Sequence, residues 1–288
     1  MLHNIKRTFV SALAIFLLGT SILSHATEQG LFWKMQSPNG HVSYLFGTMH
    51  TDDNRVTNFS SSITAALKSV DLFVMETQPN SDPANFSMQG ASLKTMLTEA
   101  ELDQVKTLAD FHVMHLENAL RMKPWLLAIV FSQSKPQTPF AQDNLLMRGA
   151  EDFGKPVKGL ETSEEHFGVI DGFSLDEQLE MLRAALKMTE AQKEQDFENL
   201  LAVYLGEDSD KTLDLDAEIT STALSKPLWK KLRVKLLEER NVLMTQRALA
   251  QASNQSVFVA VGAAHLAGES GFINQFRQAG YKLSRIKK

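Results

Sequence analysis

Cysteine is absent from the 288 residues, and with it go disulfides, thiolate zinc sites, cysteine nucleophiles, iron–sulfur clusters and a thiol-linked lipid anchor. Positive charge is not in excess either. Lys and Arg number 29 against 34 Asp and Glu, a formal charge of −5, so the chain has no electrostatic basis for wrapping a phosphate backbone and nucleic acid is not an expected partner. Proline and glycine, 8 and 15 residues, are too sparse for a fibrous or low-complexity chain. With 43% apolar and 22% charged residues, the chain can bury a core. No Gly-x-Ser-x-Gly elbow, Walker loop or dinucleotide glycine fingerprint occurs, which sets aside serine-esterase, nucleotide and flavin chemistry.

The one long apolar run is at the start. Lys6 and Arg7 precede Phe9 to Leu18, and Ser24-His25-Ala26 offers small residues where a signal peptidase cuts. Gly19, Thr20 and Ser21 interrupt the run before the roughly 20 residues a membrane helix needs, so residues 1–26 read as a cleaved export signal rather than a retained anchor. Losing Lys6 and Arg7 takes two positive charges from the −5 of the whole chain and leaves −7. The expected product is a single domain over residues 27–288 without a transmembrane segment, periplasmic or secreted.

Leu31–Met35, a Ser37-Pro38-Asn39-Gly40 turn and His41–Phe46 predict two strands of a hairpin, the second alternating with period two. A helix over Ser60–Ser69 and a short apolar strand, Leu72–Met75, follow as an αβ alternation. The middle is mostly helical, over about 92–155 and 162–222, interrupted by a brief strand in Lys155–Leu160. The spacing predicts a long helix from Ser225 to about Gln251, with Pro227 in its first turn and a stripe of Leu228, Leu232, Leu236 and Leu243. Val257–Val261, apolar on both faces, reads as a central strand covered by helices, and a helix and strand close the chain. The expected class is α/β: a central mixed, largely parallel sheet flanked by helices, with a large mid-chain helical insertion.

Four of the expected strands end in a residue able to do chemistry. Tyr44-Leu45-Phe46 runs into Gly47-Thr48-Met49-His50, and Val259-Ala260-Val261 into Gly262-Ala263-Ala264-His265; the other two end in Glu76 and Glu161. Ligands of open α/β sheets sit beyond the carboxyl ends of the strands, so parallel neighbours would bring two imidazoles and two carboxylates to one cleft. The glycines are expected to let the chain turn sharply off the sheet. A bland alternative makes Glu76 and Glu161 caps of the helices that follow them. Arg240 and Asn241 lie about 100° apart on the long helix and would stabilise an anion if that helix is buried on several sides. His112 and His115 read as a solvated helical face, and Asp208–Glu218 as helix-end charge without a calcium-loop glycine.

Taken in order, Tyr44–His50, the Glu76 strand, Gly159-Leu160-Glu161-Thr162, Arg240-Asn241 and Val259–Leu266 resemble the TraB/GumN family, which includes Tiki-type proteases and is distantly related to haem-binding ChaN and erythromycin esterase proteins. The resemblance spans about Leu31 to Ile286. It implies a divalent-metal hydrolase site (Mn, Co or Zn) with His50 and His265 as ligands, Glu76 as third ligand or general base, and Glu161 as an orienting or acid/base group. His166 stands where the family usually has Gln and inherits no role; Asp143 matches a family aspartate weakly. Two functions follow from the resemblance. One is an exported hydrolase cutting a peptide or another amide or ester. The other is a non-catalytic exported protein that sequesters a peptide or a haem-like ligand. A metal-free hydrolase, in which a His paired with a carboxylate activates water, uses the same residues.

Overall fold

The computed structural model describes residues 30–78, 86–136 and 138–287; the expected export signal, 1–26, lies outside them. Six strands form one sheet: β1 (Phe32–Gln36), β2 (Val42–Thr48), β3 (Leu72–Thr77), β4 (Val157–Glu161), β5 (Val257–Gly262) and β6 (Lys282–Arg285), in the order β4-β3-β5-β2-β1-β6. β4, β3, β5 and β2 are mutually parallel, while β1 pairs antiparallel with both β2 and β6. The fold is therefore α/β, with a mixed and mostly parallel sheet.

Period-two alternation inside the apolar run of β5 separates two cores. Val257, Val259 and Val261 face one way, onto Met244, Ala248, Phe272 and Phe276 of the covering helices. Phe258 and Ala260 face the other way, onto Ile63, Leu67, Leu146 and Ala150. The second face is aromatic at its centre, where the Phe258 ring lies 5.9 to 6.4 Å from the rings of Phe32, Tyr44, Phe46 and Phe73. A third core, apart from the sheet, fills the mid-chain helices with Leu93, Val105, Trp125, Phe131, Leu182 and Leu228 among others.

Most helices fall where the periodicity places them, including Ser61–Ser69, Gln142–Asp152, Leu175–Lys187 and Glu190–Leu205. The periodicity predicts one helix over Glu117–Ser132, but the stretch is broken into Leu116–Ala119 and Pro124–Phe131, because Pro124 lacks the N–H that would continue it. The acidic stretch after Asp208 belongs to a helix, Ser209–Ala223, with Asp208 as its cap accepting from Lys211 N. The long helix begins as expected after Ser225 but is not uniform. Lys226–Arg233 and Glu239–Ala252 are α-helical, and Val234–Glu238 between them is a π-helical stretch. Its ladder inward is Leu228 and Leu232, then Arg240, Asn241, Met244, Thr245 and Ala248; Leu243, expected on the stripe, is only half-buried.

His112, expected on a solvated face, is buried instead. It caps the helix Glu99–Phe111 and stacks on Phe131 at 5.8 Å, and neither ring nitrogen has a hydrogen-bond partner. Burial, assisted by the Lys193 ammonium and opposed by Glu190, lowers its pKa below the ordinary 6.5. A neutral, unpaired buried imidazole costs about 1–3 kcal/mol. Because the folded pKa lies below the unfolded one, the unfolded chain binds the extra proton, and stability is lost as pH falls from about 6.5. His112→Leu is expected to be no less stable than wild type at pH 7.5, with an advantage that widens at pH 5.5, measured by urea unfolding.

Candidate functional site at the strand ends

The four parallel strands are neighbours, so their carboxyl ends share one edge. Thr48 of β2 pairs with Gly262 of β5, and Thr77 of β3 with Glu161 of β4. From this edge Glu76, Glu161 and His265 meet the Arg240-Asn241 pair of the long helix.

Arg240 is the centre of the cluster. Its Nη2 donates to Glu76 Oε2 and to Glu161 Oε2, both at 2.7 Å, and its Nε donates to Glu161 Oε1 at 3.0 Å. Nη1 donates to Leu236 O at 3.2 Å, a carbonyl of the π-helical stretch. Every guanidinium nitrogen is thus engaged by protein acceptors. In this arrangement Arg240 orients the two carboxylates; it has little donor capacity left for a developing oxyanion. Neither glutamate caps a helix. Thr162 caps the helix after β4 in a capping box with Glu165, which leaves Glu161 to Arg240.

Glu76 Oε1 accepts the Gly262 N–H at 2.7 Å and faces His265 Nε2 at 3.7 Å. Burial opposes the charge, but the His265 ring, charged in the acid range where the carboxyl would titrate, together with Arg240 and that N–H, holds Glu76 far below the usual carboxylate range. Glu161 is lowered too, burial being outweighed by His166 and Arg240. His265 is 7% exposed, and its Nδ1 donates to Asn241 Oδ1 at 2.6 Å, which turns Nε2 toward Glu76. Burial, opposed by Glu76, pushes its pKa down to about 4, so the ring is neutral near pH 7 with a lone pair on Nε2.

The two glycines differ from expectation in their reason. Neither Gly47 nor Gly262 has a positive φ. A Cβ on Gly262 would lie 3.2 Å from Glu76 Oε1, and one on Gly47 would lie 2.6 Å from Leu266 Cδ1 and 3.2 Å from Ala263 Cα. They are small to admit close neighbours, not to turn the chain.

His50 stands apart. Its side chain is 65% exposed and its Nδ1 lies 3.2 Å from Asp143 Oδ2, which raises its pKa against the effect of burial. Thr48 Oγ1 donates to the other Asp143 oxygen. The loop carrying His50 is fixed by residues with no legible sequence signal: Gln142 accepts from Met49 N at 2.8 Å, and the buried Tyr204 hydroxyl donates to Gly47 O at 2.8 Å. His166, which the resemblance leaves without a role, joins the cluster, its Nδ1 lying 3.1 Å from Glu161 Oε2 and 3.0 Å from Arg240 Nη2.

Two donor sets could be asked to hold an ion. Among the described residues, Glu76, Glu161 and His166 are the group of three whose ligand atoms lie within 4.8 Å of one another. Arg240 Nη2 already bonds or abuts all three, and a guanidinium is never deprotonated, so this set has its cation. The set suggested by the sequence, His50, His265 and Glu76, is not gathered within that span. Arg240 reaches this set too, with Nη1 3.5 Å from His265 Nε2 and Nη2 on Glu76 Oε2, but Glu76 Oε1 is left facing His265 Nε2 and an outer partner fixes the His265 tautomer, the form of a ligand. His50 has the same form, with Nδ1 on Asp143.

A mixed, mostly parallel α/β sheet with a charged cluster at the carboxyl edge defines the class of protein. The sequence model of the TraB/PrgY/gumN family matches residues 31–285, and the chain belongs to that family. No curated protein matches it.

Arg240→Met leaves two buried carboxylates without their cation and is expected to cost about 3–5 kcal/mol of stability. Arg240→Lys should recover only part of that, since one ammonium cannot reproduce the fork. Thermal and urea unfolding of both variants measures the difference.

Proposed function

We propose that the chain is an exported hydrolase of peptide or other amide or ester bonds, working at the strand-end edge with a divalent cation held by His265, Glu76 and His50. The observation that carries this reading is the pair His265 Nε2 and Glu76 Oε1, 3.7 Å apart, each oriented by a second residue. A bound Mn, Co or Zn ion would polarise a carbonyl and lower the pKa of its water toward about 7. Asn241 keeps the His265 proton on Nδ1, so that Nε2 presents its lone pair. Arg240 and the Gly262 N–H hold Glu76 ionised and in place, which makes it a ligand rather than a proton acceptor, since so weak a base takes up little proton near neutral pH. Glu161 acts through Arg240.

A second reading uses no ion. His50 beside Asp143 is an exposed imidazole whose Nδ1 is oriented by a carboxylate, the form of a water-activating dyad.

The readings part on chelation. With Mn, Co or Zn added and a mixed peptide pool analysed by mass spectrometry, the metal reading expects cleavage that dialysis against EDTA removes. His265→Ala and Glu76→Gln should each lower kcat/KM by about 100-fold or more. Asn241→Ala should weaken metal affinity by about 10–100-fold, read by elemental analysis and competition. Cleavage that survives EDTA but is lost in His50→Ala would favour the dyad. Cleavage absent under every condition would refute both and leave a binding protein.

A further inference from the structure

Beside His265 the protein has a hollow of about 250 Å3 that no step above uses. One wall is the helix Ser209–Ala223, through Leu213 and Ala217; the other is the long helix, through Trp229, Leu232, Leu236 and Leu237; Ala264 and His265 form the end. Leu236 and Leu237 belong to the π-helical stretch, which ends two residues before Arg240, and π turns recur at functional sites.

The size is informative. Sites that enclose a whole small ligand run to about 300–1,000 Å3, so this hollow is too small for a haem-like group and matches a single side chain of a larger substrate. Its volume equals that of roughly eight waters, at about 30 Å3 each. Its walls offer those waters few partners, so an apolar group displaces them favourably. Acidic side chains outnumber basic ones in the lining, two to one, although burial raises the pKa of Asp216. The acids are Asp214 and Asp216, and no hydrogen bond or ion pair engages either among the described residues. Arg233, also in the lining, is tied to Glu238 at 3.2 Å.

We propose that this hollow is a specificity subsite, which takes a large apolar side chain of a peptide substrate next to a basic residue and so sets the scissile bond over His265. The proposal rests on the hydrolytic reading, because the subsite has meaning for turnover only if the strand-end edge cuts. It narrows the substrate class from any amide or ester to peptides with an apolar–basic pair.

Three capped dipeptides test binding directly: N-acetyl-Phe-Lys-amide, N-acetyl-Ala-Lys-amide and N-acetyl-Phe-Glu-amide, titrated against the full protein with Trp229 fluorescence as the signal and Trp229→Phe as the control. The expected order is Phe-Lys at least about 10-fold tighter than Ala-Lys, the scale of apolar discrimination in such pockets, and several-fold tighter than Phe-Glu. Ala217→Phe fills the hollow and should erase the preference for Phe over Ala. The double variant Asp214→Asn, Asp216→Asn should erase the preference for Lys over Glu. Equal binding of Phe-Lys and Ala-Lys, or a preference that survives Ala217→Phe, overturns the subsite. The hydrolytic reading fails separately: Glu76→Gln, which is outside the hollow, should lose cleavage and retain the Phe-over-Ala preference. Selective binding without cleavage by the wild type leaves the pocket standing and removes the hydrolase, whereas cleavage without selectivity does the reverse.

Discussion

Two glutamates at the ends of adjacent parallel strands must be neutralised before the sheet edge can be covered, and a single guanidinium does it. Glu76 and Glu161 come from β3 and β4, and Arg240 from a helix laid over them, so the ion cluster joins sheet and helical layer at one point. Buried pairs of this kind are weak evidence for stability, because desolvation offsets much of the attraction. Their value here is positional. Arg240 fixes where the Glu76 carboxylate points, Gly262 N–H fixes its other oxygen, and the Asn241 neighbour fixes the His265 ring.

The charges of the cluster do not cancel. Two ionised carboxylates face one guanidinium, and His265 is neutral near pH 7, so a negative charge is left on the side where Glu76 meets His265. A low-dielectric setting magnifies that imbalance. The Glu161 side is closed by Arg240 and His166, and the excess is therefore expressed toward the cleft, where a cation or an electrophilic carbonyl carbon would be favoured.

What the sequence reveals follows the range of the interactions. The sheet class, the parallel core strands and the strand-end placement of His50, Glu76, Glu161 and His265 are legible because they depend on local alternation and on where an apolar run stops. The partners are not. His166 pairs with Glu161 only because the helix after β4 starts at once behind its Thr162 cap, and Asp143, Gln142 and Tyr204 reach the His50 loop across separations of 62 to 157 residues, counting the bond between Tyr204 and Gln142. The burial of His112 fails for a related reason: a helical spacing of charged and aromatic residues does not say which face a later element, here Phe131, will cover.

The π-helical stretch explains how one helix serves two cores. Before it, Leu228 and Leu232 pack into the mid-chain helices; after it, Met244, Ala248 and Ala252 pack on the sheet. A uniform α-helix keeps the stripe it starts with, and the leucine stripe read from the sequence continues to Leu243, which the protein leaves half-buried. The wider turn over Val234–Glu238 displaces that register, so that Arg240 and Asn241, one residue apart, both face inward at 8% and 0% exposure. Within the same stretch Leu236 O accepts from Arg240 Nη1. The same irregular turn thus aims the cation at the carboxylates, orients the ring of His265 through Asn241 and forms the apolar wall beside it. A substitution that restored a regular helix would be expected to disturb all three together, since none of them is built independently of the others.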